Sequence, residues 1–232
     1  MNWGVHYDMA AITVSTYRRV LDYFWRPTIG PERFLSVRYS TLVAIADEGL
    51  WSKKTYNNSI SVLRRAFKFG YRDHPEGHDP TSGLKSARIR KKDRPVIDPF
   101  TIQDAETLIA AIRRDWGEAQ GNYDEFRFFT GLRPSEQVAL VLADFDATRG
   151  TLKINKARVG GIDNDSTKTG EDRRIELCPR AIQVLHRQIA LRESLQLAGK
   201  IDHDQLFFKE TGKPIRNLQY AVMSSAVRST AA

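Results

Sequence analysis

Apolar side chains recur at steps of three and four along most of the chain, the spacing of helices with one buried face. Val14, Tyr17, Leu21 and Phe24 predict a helix from Thr13, and Pro27 should stop it. A shorter helix is predicted over residues 40–48, ending at Gly49. A longer one runs from Ser52 to Gly70, with Tyr56, Ile60, Leu63 and Phe67 on one face. Thr101-Ile-Gln-Asp104 has the form of a capping box, followed by Ala105, Leu108, Ile109 and Ile112. Pro179 opens a further helix, with Ile182, Leu185 and Ile189 inward and Gly199 near its end. Elsewhere the period drops to two. Thr151-Leu-Lys-Ile-Asn155 and Arg174-Ile-Glu-Leu177 alternate as strands do, and the Gly-, Asp- and Asn-rich residues between them predict a hairpin. Residues 1–12 carry no pattern and should fray. Leu206-Phe-Phe208 reads as a short buried segment before the turn Thr211-Gly-Lys-Pro214, and residues 217–227 as one more helix. The fold class is mainly α with a small antiparallel β-sheet (α+β).

One stretch carries more chemistry than the rest. Phe126, Phe128 and Phe129 form an apolar run, and a Thr130-Gly131 turn follows, then Leu132-Arg133. Pro134 presets φ for the first position of a new helix, whose apolar face would be Val138, Val141 and Leu142. Arg133 is therefore expected at a helix mouth, where free N–H groups and the positive dipole end favour an anion. A guanidinium there can grip a phosphate through two parallel hydrogen bonds. Lys168 falls near the tip or rising arm of the predicted hairpin.

Charge changes the picture most. The chain of 232 residues has a net charge of +8, of which residues 1–100 hold +7 and residues 101–232 hold +1. Such a balance points to a polyanionic partner gripped by the first part of the chain. Lys53, Lys54, Arg64, Arg65, Lys68 and Arg72 lie on or beside the helix from Ser52, off its apolar stripe. Such a helix can bury its stripe in a small bundle and turn its basic side to phosphates. Six basic residues between Lys85 and Arg94, among them Arg90, Lys91 and Lys92, read with Pro95 and Pro99 as an extended linker.

A single cysteine, Cys178, excludes an internal disulfide and a cysteine-rich zinc site. His74-Pro-Glu-Gly-His78 cannot be helical, and no cluster completes a metal site there, so no metal is expected. No run is long enough to cross a bilayer and no signal peptide opens the chain, which predicts a cytoplasmic protein without a membrane partner.

Thr130-Gly-Leu-Arg-Pro-Ser-Glu136, followed by a hairpin carrying Lys168-Thr-Gly-x-x-Arg-Arg-Ile175, resembles the first half of a tyrosine recombinase (phage integrase) catalytic domain. The resemblance implies that Arg133 binds the scissile phosphate, that Glu136 buttresses it, and that Lys168 protonates the leaving 5′ oxygen. It implies a helical core-binding domain over residues 1–84 that clamps DNA, the basic linker over 85–100, and a partial catalytic domain over 101–232. It implies double-stranded DNA as partner, self-association on DNA in the complete form, and no metal or nucleotide cofactor. The function so implied is site-specific DNA integration and recombination by strand breakage and rejoining through a phosphotyrosine intermediate.

The second half of the family's pattern is missing. None of His6, His74, His78, His186 or His203 is followed by arginine three places on, and Tyr220 precedes the place where that box should fall. The chain is expected to stop short of the nucleophile, and so to bind DNA without cutting it. A non-catalytic DNA-binding remnant or regulator is the alternative. A third reading, a penicillin-binding type of acyl enzyme, would use Ser82-Gly-Leu-Lys85 and Lys168-Thr-Gly170. Gly83 disfavours the helix it requires.

Overall fold

The computed structural model describes residues 9, 11–90, 96, 98–159, 161–164 and 172–215. The chain divides into two compact units, Met1–Ile97 and Asp98–Ala232. No helix among the described residues is long and apolar enough to cross a membrane.

The first unit is a small helical bundle. Helix α1 spans Ala11–Phe24, α2 Arg26–Ile29, α3 Tyr39–Glu48 and α4 Lys53–Gly70. Pro27 does not simply stop α1: it sits at the start of α2, where its missing N–H costs nothing. Between the two, Trp25 is buried and its Nε1 donates to the Ser59 hydroxyl 3.1 Å away. Trp25, Leu42, Ile60, Leu63, Phe67 and Leu84 make the core, so the α4 stripe read from the sequence is the face that is buried. The Ser52 hydroxyl accepts from the Thr55 N–H at 3.1 Å and fixes where α4 begins.

Residues 85–87, expected in the linker, are tied to α4. Asn57 Nδ2 donates to the Ala87 carbonyl at 2.9 Å, and the Ala87 N–H donates back to Asn57 Oδ1 at 2.7 Å. The Tyr56 hydroxyl donates to the Lys85 carbonyl.

The second unit opens with α5, Ile102–Trp116, whose Thr101/Asp104 capping box forms as predicted: Asp104 N donates to Thr101 Oγ1 at 3.1 Å and Thr101 N to Asp104 Oδ2 at 2.9 Å. Helix α6, Glu118–Thr130, carries the apolar run. Phe126 enters the main core, and Phe128 packs against the small cluster of Leu108 and Ile112. Gly131, with φ of 62°, ends α6 in the left-handed region.

The helix predicted after Pro134 is a single turn, α7, Pro134–Gln137. Its predicted apolar face does not form, for Val138 is buried while Leu142 is exposed. The backbone is used another way: the Leu140 carbonyl accepts from the Leu206 N–H, Val141 bridges to Gln205, and Asp144 Oδ2 accepts from the Val141 N–H.

Strands β1 (Phe145–Asp146), β2 (Thr151–Ile154) and β5 (Arg173–Glu176) form an antiparallel sheet in the order β1-β2-β5. Its register pairs Leu152 with Ile175 and Ile154 with Arg173. The connection from β2 to β5, read from the sequence as the turn of a single hairpin, itself contains a second hairpin of β3 (Ala157–Val159) and β4 (Ile162–Asn164). Helix α8, Pro179–Leu197, buries Ala181, Val184, Leu185 and Gln188, and Leu206 and Phe207 close the core over it. The predicted helix over residues 217–227 lies outside the described residues.

Candidate functional site

Arg133 lies between α6 and α7 in extended backbone (φ −64°, ψ 139°), set by the left-handed Gly131 before it and Pro134 after it. Its side chain is 48% exposed, whereas that of Glu136, one helical turn on, is 1% exposed. Arg133 Nη1 donates to Glu136 Oε1 at 2.8 Å, and the Arg133 N–H donates to Oε2 at 3.2 Å.

A second guanidinium holds the same carboxylate. Arg173, the first residue of β5, donates from Nη1 to Oε1 at 3.1 Å and from Nη2 to Oε2 at 2.7 Å. Burial pushes the Glu136 carboxyl up, but the bonds from Arg173 and then Arg133 outweigh it and hold the carboxyl below the ordinary glutamate value. The same bonds push the Arg173 guanidinium up. Two cations share one anion, so the cluster keeps a net positive charge. Arg133 Nη2 and Nε make no hydrogen bond among the described residues and stand open to an incoming anion.

The helix mouth expected at Arg133 is not what makes this site. Helix α7 has four residues, too few to build a useful dipole, and its first residue, Pro134, has no N–H to offer. The Glu136 and Gln137 N–H groups both donate to the Arg133 carbonyl. Lys168 lies outside the described residues, as do Lys91, Lys92 and Tyr220. Arg173 was part of the motif in the sequence but had no role there, because nothing local predicts a bond across 37 residues.

The basic residues of α4 fall on one side of that helix. At about 100° per residue, Lys53, Lys54, Arg64, Arg65 and Lys68 span a sector of roughly 120°, and Arg72 continues it. Arg65 lies over the Tyr17 ring at 5.6 Å and Arg72 over the Phe69 ring at 5.7 Å, with both arginines exposed. Lys53, Lys54, Lys68 and Arg90 are exposed as well. Arg64 differs from its neighbours. It is half-buried, and its Nη2 donates to the Leu84 carbonyl, so it anchors the loop after α4.

Ser82 sits in a turn with its hydroxyl on the Asp79 carbonyl, and no helix places Lys85 one turn beyond it, which removes the acyl-enzyme geometry. His74 Nδ1 lies 3.6 Å from Glu76 in the loop after α4. Among the described residues no group of three or more His, Cys, Asp or Glu is placed to hold a metal ion.

The second unit thus joins a helical layer to a small antiparallel sheet around an Arg-Glu-Arg cluster, and known proteins share both sequence and fold with the chain. Tyrosine recombinase XerD of Ralstonia nicotianae is 29% identical over 213 residues, which cover 88% of this chain and 63% of that protein. Tyrosine recombinase XerC of Thermodesulfovibrio yellowstonii is 26% identical over 172 residues, covering 72% of this chain and 52% of that protein. The Tn1549 transposon integrase, solved with a circular intermediate DNA, superposes with a TM-score of 0.77 at 19% identity, over 99% of this chain and 76% of the integrase chain. No family model matches the chain. The chain spans about half to under two thirds of these two curated relatives. In sequence and in fold the chain is thus similar to tyrosine recombinases and integrases, the family that its motifs resemble.

Proposed function

We propose that this chain is a DNA-binding part of a site-specific recombinase of the phage-integrase type, and that Arg133 binds the scissile phosphate of double-stranded DNA. The observation that carries the reading is the half-exposed Arg133 guanidinium fixed on a buried, ionised Glu136. A cation held in one pose meets a phosphate without first being ordered, and one free edge suffices for charge-assisted hydrogen bonds.

In the proposed recombination chemistry, Arg133 offsets charge that builds on the phosphoryl oxygens, and Lys168 donates a proton to the leaving 5′ oxygen. The attack on phosphorus requires a tyrosine, and no described residue takes that role. None of the five histidines opens a His-x-x-Arg box. For these 232 residues tested as they stand, the proposal is therefore DNA binding without strand cleavage.

Residues 1–84 serve as a core-binding domain, residues 85–100 as a linker along the DNA backbone, and residues 101–232 as the catalytic portion. The exposed basic side of α4 supports this division, since it can follow phosphates without reading bases. Self-association would take place on DNA, and the working compartment is the cytoplasm.

The test is to select bound sites from a random duplex library and compare the wild type with Arg133→Ala on the selected site, nicked at its centre, and on random duplex. Preferential loss on the nicked site supports the reading. Equal loss on both counts against it.

A further inference from the structure

We infer that Arg173 is a positioning residue that keeps Arg133 available to the phosphate by occupying the bidentate edge of Glu136. The inference rests on the phosphate-binding reading of this site and deepens it.

Each carboxylate oxygen of Glu136 accepts two hydrogen bonds. Oε1 takes Arg133 Nη1 and Arg173 Nη1; Oε2 takes the Arg133 N–H and Arg173 Nη2. Arg173 makes the fork-to-fork contact, with both terminal nitrogens on both oxygens, whereas the Arg133 side chain is left with one bond to one oxygen. The fork contact is the preferred geometry between a guanidinium and a carboxylate. With Arg173 absent, that edge is open to Arg133, which would turn both terminal nitrogens inward and withdraw them from an incoming ligand.

Charge points the same way. Arg133 and Glu136 alone form a neutral pair, and a phosphodiester gains little from approaching one. Arg173 restores a single positive charge to the cluster. It also keeps Glu136 ionised despite burial, which fixes the rotamer of Arg133. Among the described residues the charged groups acting on Glu136 are Arg173, from β5, and Arg133, from the turn that Glu136 itself shares. Arg173 comes from the strand that follows the predicted Lys168 loop. A substitution on that strand is therefore felt at Arg133 without touching it.

The experiment uses the full chain and the selected duplex site, nicked at its centre and labelled for fluorescence anisotropy, between pH 8 and pH 5. Wild type, Arg133→Ala, Arg173→Gln and Arg173→Lys are compared, each checked for folding by near-ultraviolet circular dichroism. At pH 8, Arg173→Gln should lose about as much affinity as Arg133→Ala, on the order of tenfold. It should then regain part of that loss as the pH falls, because Glu136, held by one arginine instead of two, takes up a proton and releases Arg133. Arg173→Lys keeps the charge without the fork, so its loss should be smaller and should not depend on pH.

If Arg173→Gln is folded and binds like the wild type while Arg133→Ala is weakened, the positioning role is overturned and the phosphate site stands. If neither substitution weakens binding, the phosphate reading itself fails. If Arg173→Gln does not fold, Arg173→Lys decides: a folded Arg173→Lys of wild-type affinity overturns the role, and a partial loss supports it.

Discussion

Arg113 Nη2 lies 2.9 Å from Glu125 Oε2, and Glu125 has no exposed side-chain surface. Arg180 and Arg187, both from α8, donate to the same carboxylate, so a single acid on α6 joins α5, α6 and α8. Burial pushes the Glu125 carboxyl up, but the bonds from Arg113, Arg180 and Arg187 outweigh it and hold it below the ordinary glutamate value. Glu125→Gln removes the charge and leaves three arginines around a neutral amide. It should destabilise the second unit by about 3 kcal/mol, read by urea denaturation at neutral pH.

The sign of the pH dependence follows from the same depression, shared with Glu136. A carboxyl lowered in the folded state adds stability that is complete above the ordinary glutamate value of about 4.3 and is lost as the pH falls through the depressed folded value. The share of stability that these two carboxylates supply should therefore hold steady from neutral pH down to about that value and fall below it, as urea midpoints of an Asp124→Asn background would read. With Glu125→Gln added to that background, the midpoint should fall less steeply over the same window.

Asp124, next to Glu125, behaves in the opposite way. Burial pushes its carboxyl up; Gln120 and Arg127 offset only part of the rise, and buried Oδ1 has no hydrogen-bond partner among the described residues. A raised acid contributes its favourable share only while protonated, and that share is lost as the pH rises through the folded value. Asp124→Asn is expected to stabilise the protein by about 1 kcal/mol at neutral pH. The gain should disappear below the ordinary aspartate value of about 3.9, as thermal melts across pH would register.

Two left-handed glycines should answer differently to alanine. At Gly131 an added Cβ meets nothing, so Gly131→Ala carries the backbone cost alone, about 1 kcal/mol. At Gly117, with φ of 92°, the Cβ would lie 2.4 Å from the Glu210 carboxyl carbon, and Glu210 Oε2 accepts from the Ala119 N–H that opens α6. Gly117→Ala should therefore cost more than Gly131→Ala, by about 1 kcal/mol or more, in paired thermal melts.

Wherever one period ran undisturbed, the sequence was readable. The α4 stripe of Tyr56, Ile60, Leu63 and Phe67 and the Thr101/Asp104 box were legible because both depend on neighbours within four residues. Helix α6 was read only at its Phe126 end, because its other buried positions include Asn122 and Glu125, which look like a solvated face until their partners on α5 and α8 are placed. The helix after Pro134 was overestimated for the same reason: Leu140 and Val141 bond to residues 205–206, far along the chain. At the site, Arg133 and Glu136 were legible as an i,i+3 pair inside a motif, but Arg173 reaches Glu136 only through the β2–β5 register.

The basic side of α4 gives a graded expectation. If Lys54, Arg65 and Lys68 each meet a phosphate, replacing any one with alanine should lower the salt dependence of DNA binding by about one unit of log K against log salt. Arg64→Ala should instead loosen the loop after α4 and lower the melting temperature, because its guanidinium is spent on the Leu84 carbonyl.

Duplex-DNA binding through these cations, as proposed, is put to the test by a salt titration of the wild-type protein against labelled duplex. Log K should fall linearly with log salt, with a slope that shrinks when Arg133 or the α4 lysines are removed. Binding that ignores salt, or no binding at low salt by a folded protein, would contradict it.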